Sequence, residues 1–193
     1  MRISNFREYA SDPIDGDQPE ILWGIEAPNG ASGIWKEAAA GSIYVRRVAA
    51  GHVCEYMKAK SSNSSTDWVV TEGRILVTLT KSLFTDGGAA AGTYATGLVI
   101  PAGVTVEPFI LNTTTAWNNN TSAELDVGDG TDADRFNSAT APSIFATGVV
   151  SGGTPSGTNP VATAATLTVT ITGSSDFTNV ASGTTVLSLR YRG

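Results

Sequence analysis

The chain of 193 residues has a single cysteine, Cys54, and a single histidine, His52. A lone cysteine cannot close an intrachain disulfide, so stability must come from sheet packing and from subunit burial. Cys54 lies inside a strand-like run and reads as a small buried hydrophobe. A lone histidine gives imidazole acid–base chemistry only one place to sit. No nucleophile motif lies near His52, and a surface or cross-strand position accounts for it. Charged residues are also scarce, at 16%, against roughly 25% in an average soluble protein. The surface must therefore be finished by Thr, Ser, Asn and Gly. The net charge of −6 and the absence of clustered Lys and Arg argue against a nucleic-acid partner. Only Arg46, Arg47, Lys58 and Lys60 come close to a basic patch, and they are expected on the solvent side of a hairpin. No run approaches the roughly twenty apolar residues of a membrane span. The opening MRISNFREYASD has no apolar signal core. The expectation is a soluble protein made in the cytoplasm, with no membrane partner.

What the chain does contain is organised around residues 41–70. Ser42-Ile43-Tyr44-Val45-Arg46 and His52-Val53-Cys54-Glu55-Tyr56-Met57-Lys58 are two alternating runs. Ala49-Ala50-Gly51 between them suits a hairpin loop, where glycine supplies the positive φ that other residues resist. Alternation sets Ile43 and Val45 against Tyr44 and Arg46, and Val53, Glu55 and Met57 against His52, Cys54, Tyr56 and Lys58. Trp68, reached through a Ser-rich segment, is expected to close the apolar face of this hairpin module.

Residues 1–40 have little pattern. Pro13, Pro19 and Pro28 disfavour a regular helix or a central strand. Yet Phe6, Tyr9, Ile21, Leu22, Trp23 and Trp35 are too many large apolar groups for a solvated tail. Two readings reconcile these facts: an extended arm that gains order on another surface, with its acids suited to a basic patch, or an arm that packs on its own chain. From residue 71 to the end, β-pattern dominates. Arg74 to Thr80, Tyr94 to Ile100, Val104 to Leu111, Glu124 to Val127, Ile144 to Val150, Thr166 to Thr172 and Thr184 to Tyr191 read as strands between Gly/Pro/Ser loops, with Pro108 marking an edge or bulge. The fold class expected is all-β: an antiparallel β-sandwich, jelly-roll-like, preceded by the extended N-terminal arm and the hairpin module. An immunoglobulin-like sandwich is the alternative.

Two motifs carry a chemical reading beside a plainer one. The acids of Asp126-Val127-Gly128-Asp129-Gly130-Thr131-Asp132-Ala133-Asp134 could offer calcium hard oxygen ligands, but the spacing is not that of an EF-hand, and Asp capping a turn explains the same residues. Trp117 beside Asn118-Asn119-Asn120 could form a sugar-binding loop, and is equally a polar loop with one apolar anchor. No acid pair stands out as a glycosidase couple. No cofactor, metal or catalytic residue is expected, and the chain is read as no enzyme.

The run GSIYVRR…AGHVCEYMKAKSSNSSTDWV is similar to a short β-module of tailed-phage virion proteins, in which a Gly-Ser-x-Tyr strand precedes a Tyr-x-Lys strand, a polar loop and Trp. IPAGVTVEPFILNTTTAW…VGDGTDADRF resembles the β-sandwich domains of phage head-decoration (cement) and fibre proteins. Together these stretches span most of residues 41–193. The resemblance implies a non-enzymatic virion protein on the outer capsid surface, a homotrimer whose partner is the major capsid protein, bridging neighbouring subunits. Phe6, Tyr9, Ile21, Leu22, Trp23 and Trp35 are then the candidate interface anchors, by the aromatic bias of hot spots. The alternative is a head- or tail-fibre domain that binds host glycan through Trp117, Asn118, Asn119 and Asn120. A hydrolase stands third.

Overall fold

The computed structural model describes residues 21–25, 28, 38, 40–60, 67–118 and 121–193. Among them there are twelve strands, two single-turn 3-10 segments and no α-helix. Most strand pairs are antiparallel, and the molecule is an all-β sandwich. The chain divides into two compact units.

The first unit runs to Arg74 and includes Arg192 and Gly193. Its sheet is ordered β1 (Ile21–Gly24), β2 (Ile43–Ala49), β3 (His52–Lys58) and the beginning of β4 (Trp68–Thr80). The hairpin β2–β3 forms where alternation placed it, and Ala50-Gly51 makes the turn with Gly51 at φ 78°. A residue with a Cβ resists that conformation, which is why glycine sits at the tip. β1 falls in the proline-bearing stretch and pairs in parallel with β2, Ile21 opposite Ile43 and Trp23 opposite Val45. Residues 1–20 and 29–37, with Phe6, Tyr9 and Trp35, lie outside the described residues.

The face this unit buries is not the apolar one. Tyr44, His52, Cys54, Tyr56, Lys58 and Trp68 are all buried, while Val53 and Met57 are exposed. The rings of Tyr44 and Trp68 meet edge to face at 6.1 Å, and Tyr44 and Tyr56 lie 6.3 Å apart. Lys58 is therefore not on the solvent side as its charge suggested. It is 1% exposed, with Nζ 5.7 Å from the centroid of the Trp68 ring. Its methylenes join the aromatic layer and the ring face receives the ammonium, a pairing worth most when desolvated. His52 is likewise buried; of the two positions expected, it takes the cross-strand one, opposite Ala49, and not the surface. Trp68 decides the matter. It closes the Tyr44–Tyr56 side of the hairpin, the opposite side from Ile43 and Val53.

The second unit, Ile75–Tyr191, has two sheets. One contains the rest of β4, then β12 (Thr184–Arg192), β8 (Ile110–Thr115) and β10 (Gly148–Ser151), with β7 (Thr105–Val106) also against β12. The other is ordered β5 (Thr85–Asp86), β6 (Ala91–Ile100), β11 (Ala165–Gly173) and β9 (Ala123–Gly128). Strict period-2 alternation sorts the side chains, because successive Cβ atoms leave opposite faces of a strand. Leu167, Val169 and Ile171 of β11 are fully buried and Thr166 and Thr172 are exposed. Ile75 and Leu79 of β4, with Leu187, Leu189 and Tyr191 of β12, supply the other inner face. Phe84 joins the core against Trp117 at 5.6 Å and Phe177 at 6.0 Å. Pro108 falls in the gap between β7 and β8, so the run Val104 to Leu111 is two strands rather than one. The last strand lies inside its sheet, between β4 and β8.

Candidate functional site

With Trp68 turned to the polar–aromatic side, the first unit's sheet is left with an outward face that is largely apolar. The register sets Ile21, Ile43 and Met57 in one cross-strand row and Trp23, Val45 and Glu55 in the next, followed by Arg47 opposite Val53. Thr71 of β4 donates its hydroxyl to Glu55 Oε1 at 2.9 Å, which puts Val69 and Thr71 on this same face. Exposure here is substantial: 53% for Ile21, 42% for Trp23 and 63% for Ile25, with Val53, Met57 and Val69 also exposed. An antiparallel sheet with one face on the core normally alternates apolar inside with polar outside. This sheet breaks that rule on β1, β2 and β3. Arg46 Nε donates to the Ile25 carbonyl at 2.9 Å and so ties the end of β1 to β2.

The six proposed anchors fare differently. Ile21 and Trp23 stand on the open face, whereas Leu22 between them is buried within its own unit, as alternation along β1 requires. Phe6, Tyr9 and Trp35 lie outside the described residues. Val53, Met57 and Val69 were not among the candidates. Their signal was present in the alternation, but which side Trp68 covers is not a local property.

The inner side of the same sheet gathers titratable groups of low exposure. Burial, and then the charge of Arg46, push His52 down to about 4. Burial foremost, with Cys54 adjoining, pushes the Tyr56 hydroxyl up to about 12. Burial also lowers Lys58, with Asp67 acting in the opposite direction. At neutral pH the imidazole is uncharged and the phenol protonated, so both serve as packing groups.

In the second unit the acidic stretch forms a turn. Asp129 Oδ1 accepts the N–H groups of Thr131 and Asp132 at 3.0 and 2.9 Å, and its Oδ2 pairs with Arg135. Partial burial raises Asp129, but these donors prevail and hold its carboxyl below the usual range. Asp126 is raised by burial against the Asn137 amide that donates to it. Asn137 is fully buried; its Oδ1 takes the Val127 N–H at 2.8 Å and its Nδ2 also reaches the Ser138 carbonyl. Sequence reading missed this residue, because an asparagine in an irregular segment looks like any loop residue. Among the described residues, no group of three or more His, Cys, Asp or Glu side chains is placed to hold a metal ion.

Trp117 is fully buried, its Nε1 donating to Thr185 Oγ1 at 2.9 Å, and Thr185 in turn shares a hydrogen bond with Thr113. Its ring has no face left for a sugar to stack on. Asn118 is exposed, and Asn119 and Asn120 lie outside the described residues.

No protein-family model matches the chain. No curated protein matches it either. Among solved structures, a chain described as "Cyanophage Pam1 capsid asymmetric unit" aligns at a TM-score of 0.29 and 20% identity, over 61% of this chain and 84% of that one. A likeness at that score fixes neither the fold nor the function of this protein.

Proposed function

We propose that the chain is a non-enzymatic virion structural protein that decorates and stabilises a phage capsid, holding neighbouring capsid subunits together from the outside. The observation that carries this reading is the first unit's sheet, which leaves large apolar side chains exposed on the face opposite its polar–aromatic core. Large exposed apolar patches on soluble proteins mark surfaces meant to be covered by protein. The threonine-faced sandwich fits the same reading, since it has the polar, sparsely charged exterior of a body that stands free. Sequence resemblance to phage decoration proteins supplies the kind of assembly. The mechanism is mechanical. Each copy adds buried area across a seam between subunits, and clustering of copies multiplies weak contacts through effective concentration.

Residues 1–20, with Phe6 and Tyr9, are the segment assigned to the capsid in this reading. The deletion spares Ile21–Gly24, the residues of β1, and circular dichroism checks that the variant keeps its sheet. The expected result is a folded chain that no longer co-sediments with particles, while the full chain does so in many copies per particle. Full retention on particles after the deletion, or a handful of copies on the purified virion, would refute the proposal.

A further inference from the structure

The outward face of the first unit has a composition that suits one occupant. Its most exposed apolar groups are Ile21, Trp23, Ile25, Val53, Met57 and Val69. From their exposed fractions, they and the half-buried Ile43 and Val45 offer on the order of 600 Å² of apolar surface, at the upper end for the largest patch on a monomer. A standard interface buries about 800 Å² per partner, a little over half of it apolar. The face is thus large enough to be one complete side of a stable contact.

Charge narrows the choice. Among the described residues the register places one cation, Arg47, and one anion, Glu55, on the face, on adjacent strands and neighbouring rows. A surface with one charge of each sign can complement itself about a two-fold axis, since each residue then meets the other kind on the partner. The charge of the chain is also unevenly divided. The first unit holds nine basic and ten acidic residues, the second three basic and eight acidic. Contact between copies through the second unit would bring like charges together, whereas contact through the first would not.

We propose that this face pairs with the same face of a second copy of the chain about a two-fold axis, setting Arg47 of each copy against the partner's Glu55. The pairing rests on the same exposed face as the capsid reading and deepens it: the protein that covers this face is a second copy, and residues 1–20 are left for the capsid. Where both hold, each pair carries two N-terminal segments, and a pair of that kind bridges two capsid positions.

Sedimentation equilibrium of the full chain gives the test. The parent chain is expected at twice its sequence mass. A chain with Val53→Lys and Met57→Lys, both at exposed positions, is expected to weaken pairing by about thirtyfold or more while keeping its β-sheet circular dichroism. Arg47→Glu alone and Glu55→Arg alone should each become monomeric, because each then faces its own charge. Mixed in equal amounts, the two single variants should pair again, as each supplies what the other lacks. A monomeric or trimeric parent chain, or a mixture that stays monomeric, would overturn the two-fold. Capsid binding that survives in the Val53→Lys, Met57→Lys chain would leave the decoration reading standing whatever the outcome for pairing.

Discussion

The two units solve the same problem of burying a sheet in opposite ways. In the second, most Leu, Ile, Val and Phe go inside and most Thr and Ser go outside, with Leu76, Leu83, Val99, Ile110 and Val149 as the exposed exceptions. In the first, tyrosine, histidine, cysteine, lysine and tryptophan form the inside, and isoleucine, valine and methionine are turned out. Aromatic rings with polar tips can make a core if those tips find partners, and a lysine can enter it over a tryptophan face. Such a core leaves the aliphatic face for something else to cover. The difference teaches that the second unit builds its core from aliphatic side chains, while the first builds its core from polar-tipped rings and turns aliphatic ones outward.

Breaking the second unit from within should give the largest effect. Trp117→Ala removes a fully buried ring and its bond to Thr185, at an expected cost of about 3–5 kcal/mol. Denaturant unfolding checks this, and a loss under about 1 kcal/mol would mean that the ring is not part of a tight core.

The first unit should be the acid-sensitive one. His52 is held down to about 4 when folded, so the unfolded chain takes up a proton first. Stability is complete above the ordinary histidine value near 6.5 and declines as pH falls from there to about 4, by roughly 2–3 kcal/mol. His52→Gln should flatten that slope relative to the parent, and parallel pH profiles would contradict the burial. Gly24→Ala ranks next. A Cβ at Gly24 would run into the Tyr44 hydroxyl and ring, so the variant should lose about 1–3 kcal/mol in this unit. An unchanged melting temperature would place Tyr44 elsewhere.

Smaller effects sharpen the contrast from the second unit's surface. Asp129→Ala frees two turn N–H groups and Arg135, for about 1 kcal/mol. Because the folded carboxyl titrates below its usual range, that contribution is present above the ordinary aspartate value and is lost as pH falls through the folded one. Thr166→Ala on the open face of β11 should change stability by less than about 0.5 kcal/mol. A larger change would show that the threonine face is also an interface.

Much of the strand map was legible from residues alone. Thr166 to Thr172 alternates without fault and Leu187, Leu189 and Tyr191 form an alternating trio, and the structure places β11 and β12 over them. The hairpin turn at Gly51 and the Asp129 turn were equally readable, because both depend on neighbours a few residues apart. β1 was not legible, since four residues in a proline-bearing stretch have too short a pattern and gain their order from β2. The acidic stretch could be read as a turn, but not Asn137, whose partners are brought to it by the fold.

By itself the sequence determined where most of the longer strands run and which of their side chains share a face, for these follow from a two-residue period. It also determined that no intrachain disulfide joins these residues, there being one cysteine. Tertiary structure alone decided which of the two faces is inside. That choice depends on where distant groups such as Trp68 come to rest, and burial is a property of the packed pair rather than of either strand. Lys58, His52 and Trp117 were therefore placed by packing, and the open face of Ile21, Trp23, Val53 and Met57 is what that packing left uncovered.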